Sequence, residues 1–253
     1  MRVALTGYGR MGREIEAVLR DRGHEISCIV DPALAEREKT VSAALTPELL
    51  ANCDAAIEFS LADAVPANVA AYLAAGVPAV IGTTGWLDQL EMISGQIRDA
   101  GGALVYGSNF SIGANLFFRL ASHAAGLVRE IEEYDLMIHE LHHRGKKDSP
   151  SGTALTLAEA VLARVPRKTA VQTARLDRQP AANELHVSST RGGWVPGTHT
   201  LYLDSAADTI EVRHQARNRG GFALGAVRAA EWIVGKRGLF TVEQFIDDLL
   251  QER

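Results

Sequence analysis

The first twelve residues constrain the fold most. MRVALTGYGRMG places a short apolar run, RVALT, directly before Gly7-Tyr8-Gly9-Arg10-Met11-Gly12. The stretch that follows, MGREIEAVLRDRG, has helical spacing, with Ile15, Val18 and Leu19 on one face and Gly23 as a stop. A G-x-G-x-x-G loop between a strand and a helix leaves few folds open. Gly7 permits a tight turn, Gly9 lets the backbone approach a pyrophosphate, and Gly12 lets the helix pack on the strand. The helix N-terminus then offers N–H donors to an anion. Alone the motif is weak; in this context it implies a dinucleotide site.

The same grammar continues for a hundred residues. HEISCIVD, AAIEFS, VPAVIG and ALVYGS read as buried strands, and 62–75 and 86–99 read as helices between them. Such alternation predicts a parallel sheet with crossover helices. Residues 68–87 carry no charge, but Asn68, Gly76, Pro78, Gly82, Thr83, Thr84 and Gly85 predict helix, turn, strand and loop rather than a membrane span. After about residue 110 the pattern changes. Residues 112–128 read as helix and EEYDLMIHEL as a strand. SGTALTLAEAVLARV is a helix closed by Pro166; ELHVSSTR, THTLYLD and TIEVRHQA are strands with no helix between them. That predicts an open mixed or antiparallel sheet. FALGAVRAAEWIVG and TVEQFIDDLL return to helix.

The fold class is therefore α/β. A Rossmann-type parallel-sheet domain spans 1–110 and is completed by C-terminal helices within 222–253. An α+β domain with an open mixed sheet spans 111–221.

Asp31 ends the second strand, where a carboxylate holds ribose hydroxyls. It repels a 2′-phosphate, and the next residue is Pro32 rather than an arginine. NADH is thus favoured over NADPH, a preference that Arg37 or Lys39 folding back would soften. The loops Gly82-Thr83-Thr84-Gly85 and Gly107-Ser108-Asn109-Phe110 follow later strands, at the sheet edge where ligands bind. Asn109 is a candidate partner for a nicotinamide carboxamide, and Phe110 for the ring face.

Residues 139–155, HELHHRGKKDSPSGTAL, begin with the H-E-x-x-H pattern of zinc proteases. Three features argue against zinc. Tyr134, Leu136 and Ile138 alternate with Glu133, Asp135, Met137 and His139, which suits a strand, and residues four apart on a strand sit about 13 Å from each other. Arg144, Lys146 and Lys147 follow at once. His186, His199 and His214 lie in separate strands, and none reads as a third ligand. An anion seat explains more: loop cations and imidazoles precede Pro150-Ser151-Gly152-Thr153, which opens a helix with free N–H groups. No metal is expected.

A net charge of −5 argues against nucleic acid or an anionic membrane as the main partner. The two cysteines, Cys28 and Cys53, form no C-x-x-C pair. That favours a reducing, cytoplasmic setting. The N-terminus does not read as a signal peptide.

GYGRMG, GTTGW, SNFSIGAN, ELHHRGKKDSPSGTAL and IEVRHQARNRGGFALGAV together resemble the 4-hydroxy-tetrahydrodipicolinate reductases, also called dihydrodipicolinate reductases, of lysine biosynthesis. The fourth stretch resembles the family signature E-x-H-H-x-x-K-x-D-x-P-S-G-T-A; Ser149 fills its variable position before the proline, where alanine is usual, Gly145 lies inside the motif, and WVPGTHTLYLDS departs from the commoner V-G-x-H form at Pro196. The resemblance implies reduction of a cyclic imine dicarboxylate by hydride from NAD(P)H, with loss of water. It implies His142 as proton donor/acceptor, Lys146 as a second proton donor, and His143, Gly152 and Thr153 as substrate-carboxylate contacts. It implies that Gly7 to Gly12, Asp31, Gly82, Thr83, Thr84, and Gly107 to Phe110 contact the cofactor, and that the assembly is a homotetramer. Rival readings are an oxidoreductase of another small carboxylic acid and a non-enzymatic NADH sensor, although no helix-turn-helix or long basic patch is present to serve a sensor.

Overall fold

The computed structural model describes residues 1–38 and 40–251. The chain divides into two compact units, one formed by Met1–Ile112 with the stretch from Arg219 onward, the other by Gly113–Asn218.

In the first unit, β1 (Arg2–Thr6), β2 (Glu25–Val30), β3 (Ala55–Glu58), β4 (Ala79–Ile81), β5 (Ala103–Tyr106) and β11 (Gly238–Thr241) form a sheet in the order β11-β5-β4-β3-β1-β2. Every pairing within it is parallel. Its helices are α1 (Arg10–Asp21), α2 (Pro32–Ala35), α3 (Pro47–Leu50), α4 (Val65–Ala75), α5 (Leu90–Ala100), α8 (Gly220–Ile233) and α9 (Val242–Gln251). Both sheet faces are covered, so the strands read as continuous apolar runs rather than alternating ones. Val3, Leu5 and Ile57 face one core, with Ile15 and Leu19 of α1, Ala226 of α8 and Phe245 of α9. Ala4, Ala56 and Ala79 face the other, with Leu50 and Tyr72. Ile81 and Leu104 extend that second side, with Val69 and Ile97.

The chain leaves β1 toward β2, then crosses back to β3 on the other side of β1. The carboxyl ends of β1 and β3 therefore flank a topological switch point, where open α/β sheets bind ligands. The uncharged segment 68–87 resolves into α4, a left-handed Gly76 cap, β4 and a loop. No helix among the described residues is long and apolar enough to cross a membrane.

In the second unit, β6 (Asp135–His142), β7 (Ala170–Gln172), β8 (Glu184–Arg191), β9 (Thr198–Asp204) and β10 (Thr209–Gln215) form a sheet in the order β10-β9-β6-β8-β7. It is mixed, as expected: β9 runs antiparallel to β6 and β10, while β6, β8 and β7 are mutually parallel. Helices α6 (Ile112–Leu127) and α7 (Gly152–Leu162) supply Phe117, Ala121, Leu157 and Val161 to a core with Leu136, Ile138, Val187 and Leu201. The opposite parity, with Met137, His139, His186 and Tyr202, faces away from that core, and Met137 is 39 % exposed.

Sequence patterns do not predict four short elements. They are β7, β11, α2 and α3, each of three or four residues.

Candidate active site

In the first unit the three glycines of the loop separate by role. Gly7 has φ +86°, and a Cβ there would lie 2.2 Å from the Phe59 carbonyl oxygen after β3. A Cβ on Gly12 would lie 2.4 Å from the Gly7 carbonyl oxygen. Both positions exclude side chains because main chain occupies the space. A Cβ on Gly9 would meet nothing within 4 Å, and this residue caps α1 without any side-chain acceptor for the first-turn amides. Packing therefore does not demand glycine at position 9. An open surface beside free N–H groups is what an approaching anion requires.

Asp31 holds this loop. Its Oδ2 accepts from the Tyr8 amide at 2.8 Å, and its Oδ1 accepts from Ala33 and Leu34, capping α2. Arg10 is exposed, whereas Met11 and Tyr8 lean on the core. Arg37 is exposed; Lys39, named with it above, lies outside the described residues.

The two later loops use much of their chemistry internally. A Cβ on Gly82 would lie 2.2 Å from the Phe59 ring, and one on Gly107 would lie 2.5 Å from Val242 Cγ1. Thr83 Oγ1 accepts from the Ser60 amide at 2.8 Å, and the Thr83 carbonyl accepts from Trp86 Nε1 at 2.9 Å. Asn109 Oδ1 accepts from the Ser111 amide. Phe110 is 1 % exposed and stands edge-on to Phe59, so its ring is core and does not present a face to a ligand. Thr84 and Ser108 remain exposed.

In the second unit the buried parity of three strands turns from apolar to polar at one end. On β6, Leu136 and Ile138 are followed by Glu140 and His142; on β8, Leu185 and Val187 by Ser189 and Arg191; on β9, Leu203 and Leu201 lead back to His199. The register sets His142 opposite Arg191 and Glu140 opposite His199. Glu140 is fully buried, and one of its oxygens meets His142 Nδ1. The other accepts from Arg191 Nη2 at 2.7 Å and from the Ser151 amide at 3.3 Å. His199 Nε2 lies 3.1 Å from Ser151 Oγ, and its ring stands edge-on to His142 with centroids 5.1 Å apart.

Burial holds the His142 pKa below the ordinary histidine value, against an upward pull from the Glu140 carboxylate. Burial lowers His199 further, to about 4, and the His142 charge adds to that. Both imidazoles are thus neutral at pH 7 in this state.

Beyond β6 the loop carries the cations. Lys146 Nζ pairs with Asp148 Oδ1 at 2.8 Å and is one quarter exposed, and this pairing holds Asp148 below the usual carboxylate range. The His143 amide donates to Val195 O at 2.8 Å, fastening the loop to the segment between β8 and β9. The Arg144 guanidinium lies 5.2 Å from the centre of the Trp194 ring, a residue 83 % exposed. Ser151 caps α7 through Ala154 N at 3.2 Å, which leaves Gly152 exposed and Thr153 half-buried at its first turn. His142, His143, Lys146, Gly152 and Thr153 are thus gathered at one end of this unit.

One ground for expecting no metal is corrected by the structure. The H-E-x-x-H residues do lie along a strand, where His139 turns to the other face and meets Ser188 Oγ at 2.9 Å. His199, however, is not remote. Antiparallel pairing of β9 with β6 brings Glu140, His142 and His199 together, with potential ligand atoms within 4.8 Å of one another. Separation in sequence concealed a pairing that register decides. The Arg191 guanidinium on Glu140, with Lys146 acting on both imidazoles, disfavours a cation there.

A Rossmann unit followed by a mixed-sheet unit with a buried acid–base cluster is the architecture of a two-domain oxidoreductase. Two family patterns match the chain: "Dihydrodipicolinate reductase, N-terminus" over residues 1–110, and "Dihydrodipicolinate reductase, C-terminus" over residues 113–246. The chain is 38 % identical over 251 residues to the 4-hydroxy-tetrahydrodipicolinate reductase of Christiangramia forsetii, covering 99 % of this chain and 100 % of that protein. It is 38 % identical over 202 residues to the protein of the same name from Archaeoglobus fulgidus, covering 78 % and 77 % of the two chains. Its fold is similar to that of a dipicolinate-bound dihydrodipicolinate reductase from Paenisporosarcina sp. TG-14, with a TM-score of 0.75 at 23 % identity over 95 % and 97 % of the chains. The chain belongs to the dihydrodipicolinate reductase family.

Proposed function

We propose that the protein reduces 4-hydroxy-tetrahydrodipicolinate to tetrahydrodipicolinate with a nicotinamide cofactor and loss of water, in lysine and diaminopimelate biosynthesis. The observation that carries this reading is the buried His142 imidazole, tied to a carboxylate and set beside Lys146 and the first turn of α7. Hydride arriving at a ring conjugated to an imine leaves negative charge that must be protonated. His142 is the proposed proton donor, and the Lys146 ammonium is the second. Positioned proton transfer of this kind contributes about 10²–10⁴ in rate. His143 and the amides and hydroxyl at Gly152 and Thr153 are proposed to hold the two carboxylates.

The cofactor is proposed to lie along Gly7, Tyr8, Gly9, Arg10, Met11 and Gly12, with its pyrophosphate over Gly9. Asp31 accepts the ribose hydroxyls, which favours NADH over NADPH. From the later loops, Thr84, Ser108 and main-chain groups of Gly82, Thr83, Gly107, Asn109 and Phe110 are the proposed contacts, since the Thr83 hydroxyl is engaged by the Ser60 amide and the Phe110 ring is core. A homotetramer built through the uncovered face of the second sheet accounts for the exposed Met137. A cytoplasmic location accords with two free cysteines.

The test is NADH oxidation at 340 nm with the condensation product of pyruvate and aspartate semialdehyde. Turnover supports the reading, and its absence with fully folded protein removes it.

A further inference from the structure

Glu140 is a buried charge with no part in the reaction described so far. Its pKa lies below the ordinary carboxylate value: burial pushes it up, but the hydrogen bond from Arg191 and the neighbouring His142 outweigh that. A buried carboxylate is unfavourable unless each oxygen is paired. Here the two oxygens have different partners. Oε1 accepts from Arg191 Nη2 and from the Ser151 amide, two groups that can only donate. Oε2 remains for His142 Nδ1. An anchored, acceptor-only oxygen requires a proton on the ring nitrogen that faces it. The other ring nitrogen, Nε2, points to Gly197, where a Cβ would lie 2.8 Å away. Glycine there keeps that side of the ring clear.

We propose that Glu140, oriented by Arg191 and the Ser151 amide, is a positioning residue that fixes His142 in the Nδ1–H tautomer and reserves Nε2 as the atom that delivers the proton. This rests on His142 being the proton donor of the proposed reduction. In the step, the Nε2–H bond of the imidazolium breaks and its electron pair stays on the ring. The proton and the nicotinamide hydride together saturate one double bond of the substrate, and NADH becomes NAD⁺. The ring is left neutral with its Nδ1 proton still on Glu140, which stays ionised throughout. The charged groups around His142 are Glu140 on β6, Arg191 on β8, Lys146 with its partner Asp148 in the following loop, and the titratable His199 on β9. Glu140 favours the imidazolium, while Lys146 and Arg191 oppose it.

Glu140→Gln separates this role from a structural one. Arg191 and the Ser151 amide retain the side-chain oxygen, which turns the NH2 group toward Nδ1. Nδ1 must then accept, so the neutral ring carries its proton on Nε2 and the imidazolium has lost its partner. Nitrogen-15 NMR of the imidazoles is expected to show His142 as Nδ1–H in the wild type and Nε2–H in the variant, with no substrate needed. In the assay, kcat is expected to fall by about 10²–10⁴, as when an orienting carboxylate is neutralised in other histidine-dependent enzymes. The limb of kcat/KM that reports the acid form of His142 is expected to move to lower pH. Affinities for NADH and for pyridine-2,6-dicarboxylate should not change. Glu140→Asp keeps the charge and should recover the Nδ1–H tautomer, which guards against misfolding of the glutamine variant. An unchanged tautomer, or a fall in kcat with an unmoved limb, overturns the inference. A tautomer that flips in a protein whose wild type does not turn over the imine removes the proposed reaction and leaves the control of His142 standing.

Discussion

Gly9 and Gly12 differ in a way that one pair of substitutions can read. Gly9 has φ −74° and ψ −153°, a conformation open to any residue, and it caps α1 with empty space around its Cβ position. Gly9→Ser should fold normally. Serine is a better N-cap than glycine by a few tenths of a kcal/mol, because its hydroxyl accepts from the first-turn amides. Those amides are the ones assigned to the pyrophosphate. Hydrogen bonds to a charged group contribute about 1.5–3 kcal/mol, so losing one to a competing hydroxyl should raise the NADH Kd about 10- to 150-fold. Gly12→Ala should behave in the opposite manner. Its Cβ would sit 2.4 Å from the Gly7 carbonyl oxygen, so main chain must move. Overpacking costs about 1–3 kcal/mol, toward the upper end here because the obstacle is main chain, and the helix-propensity gain of about 1 kcal/mol leaves a net cost of about 1–2 kcal/mol. At about 2–4 °C per kcal/mol, melting should fall by several degrees. Thermal denaturation and fluorescence titration with NADH report the two quantities separately. If Gly9→Ser binds NADH like the wild type, or melts as low as Gly12→Ala, the division of roles within the loop is wrong.

Three other outcomes follow from the same geometry. His142→Gln should lower kcat by about 10²–10⁴ while the NADH Kd stays unchanged, read by steady-state kinetics and titration; loss of NADH binding would refute its assignment. Asp31→Asn should narrow the preference for NADH over NADPH, read as the ratio of kcat/KM for the two cofactors, because it removes the charge that repels a 2′-phosphate. His199 has its pKa lowered to about 4, so between that value and about 6.5 the unfolded chain binds more protons there than the folded one. Its contribution to stability is therefore complete above that window and is lost as pH falls through it, with a slope of at most about 1.4 kcal/mol per pH unit. Denaturant titrations should show that slope reduced in His199→Gln.

Much of the fold was legible because burial on both faces of a parallel sheet writes plain apolar runs, and β1, β3, β4 and β5 are such runs, whereas the edge strand β2 is mostly half-buried. β11 and β7 were not, since GLFT and AVQ are too short to carry a period; β11 gains its place by pairing with β5. The cationic loop and the opening of α7 are contiguous in sequence and so were visible. Glu140, Arg191 and His199 were missed as a group because cross-strand register, which no local pattern states, brings them together. A signal was nevertheless present. Leu136, Ile138, Glu140 and His142 share one parity, as do Leu185, Val187, Ser189 and Arg191, and His199, Leu201 and Leu203. Polar residues that continue a buried apolar parity on three strands mark a buried polar end. The glycines at 82 and 107 carry two readings at once: the loop pattern points to a ligand, and each position also makes room for a neighbouring side chain, Phe59 or Val242.

The most direct measurement is a crystal structure with NADH and pyridine-2,6-dicarboxylate. The inhibitor's carboxylates should lie on the Gly152 and Thr153 amides and His143, with His142 Nε2 facing its ring and the nicotinamide against the other side. A metal ion held by Glu140, His142 and His199, or an inhibitor bound away from α7, would contradict the proposed chemistry.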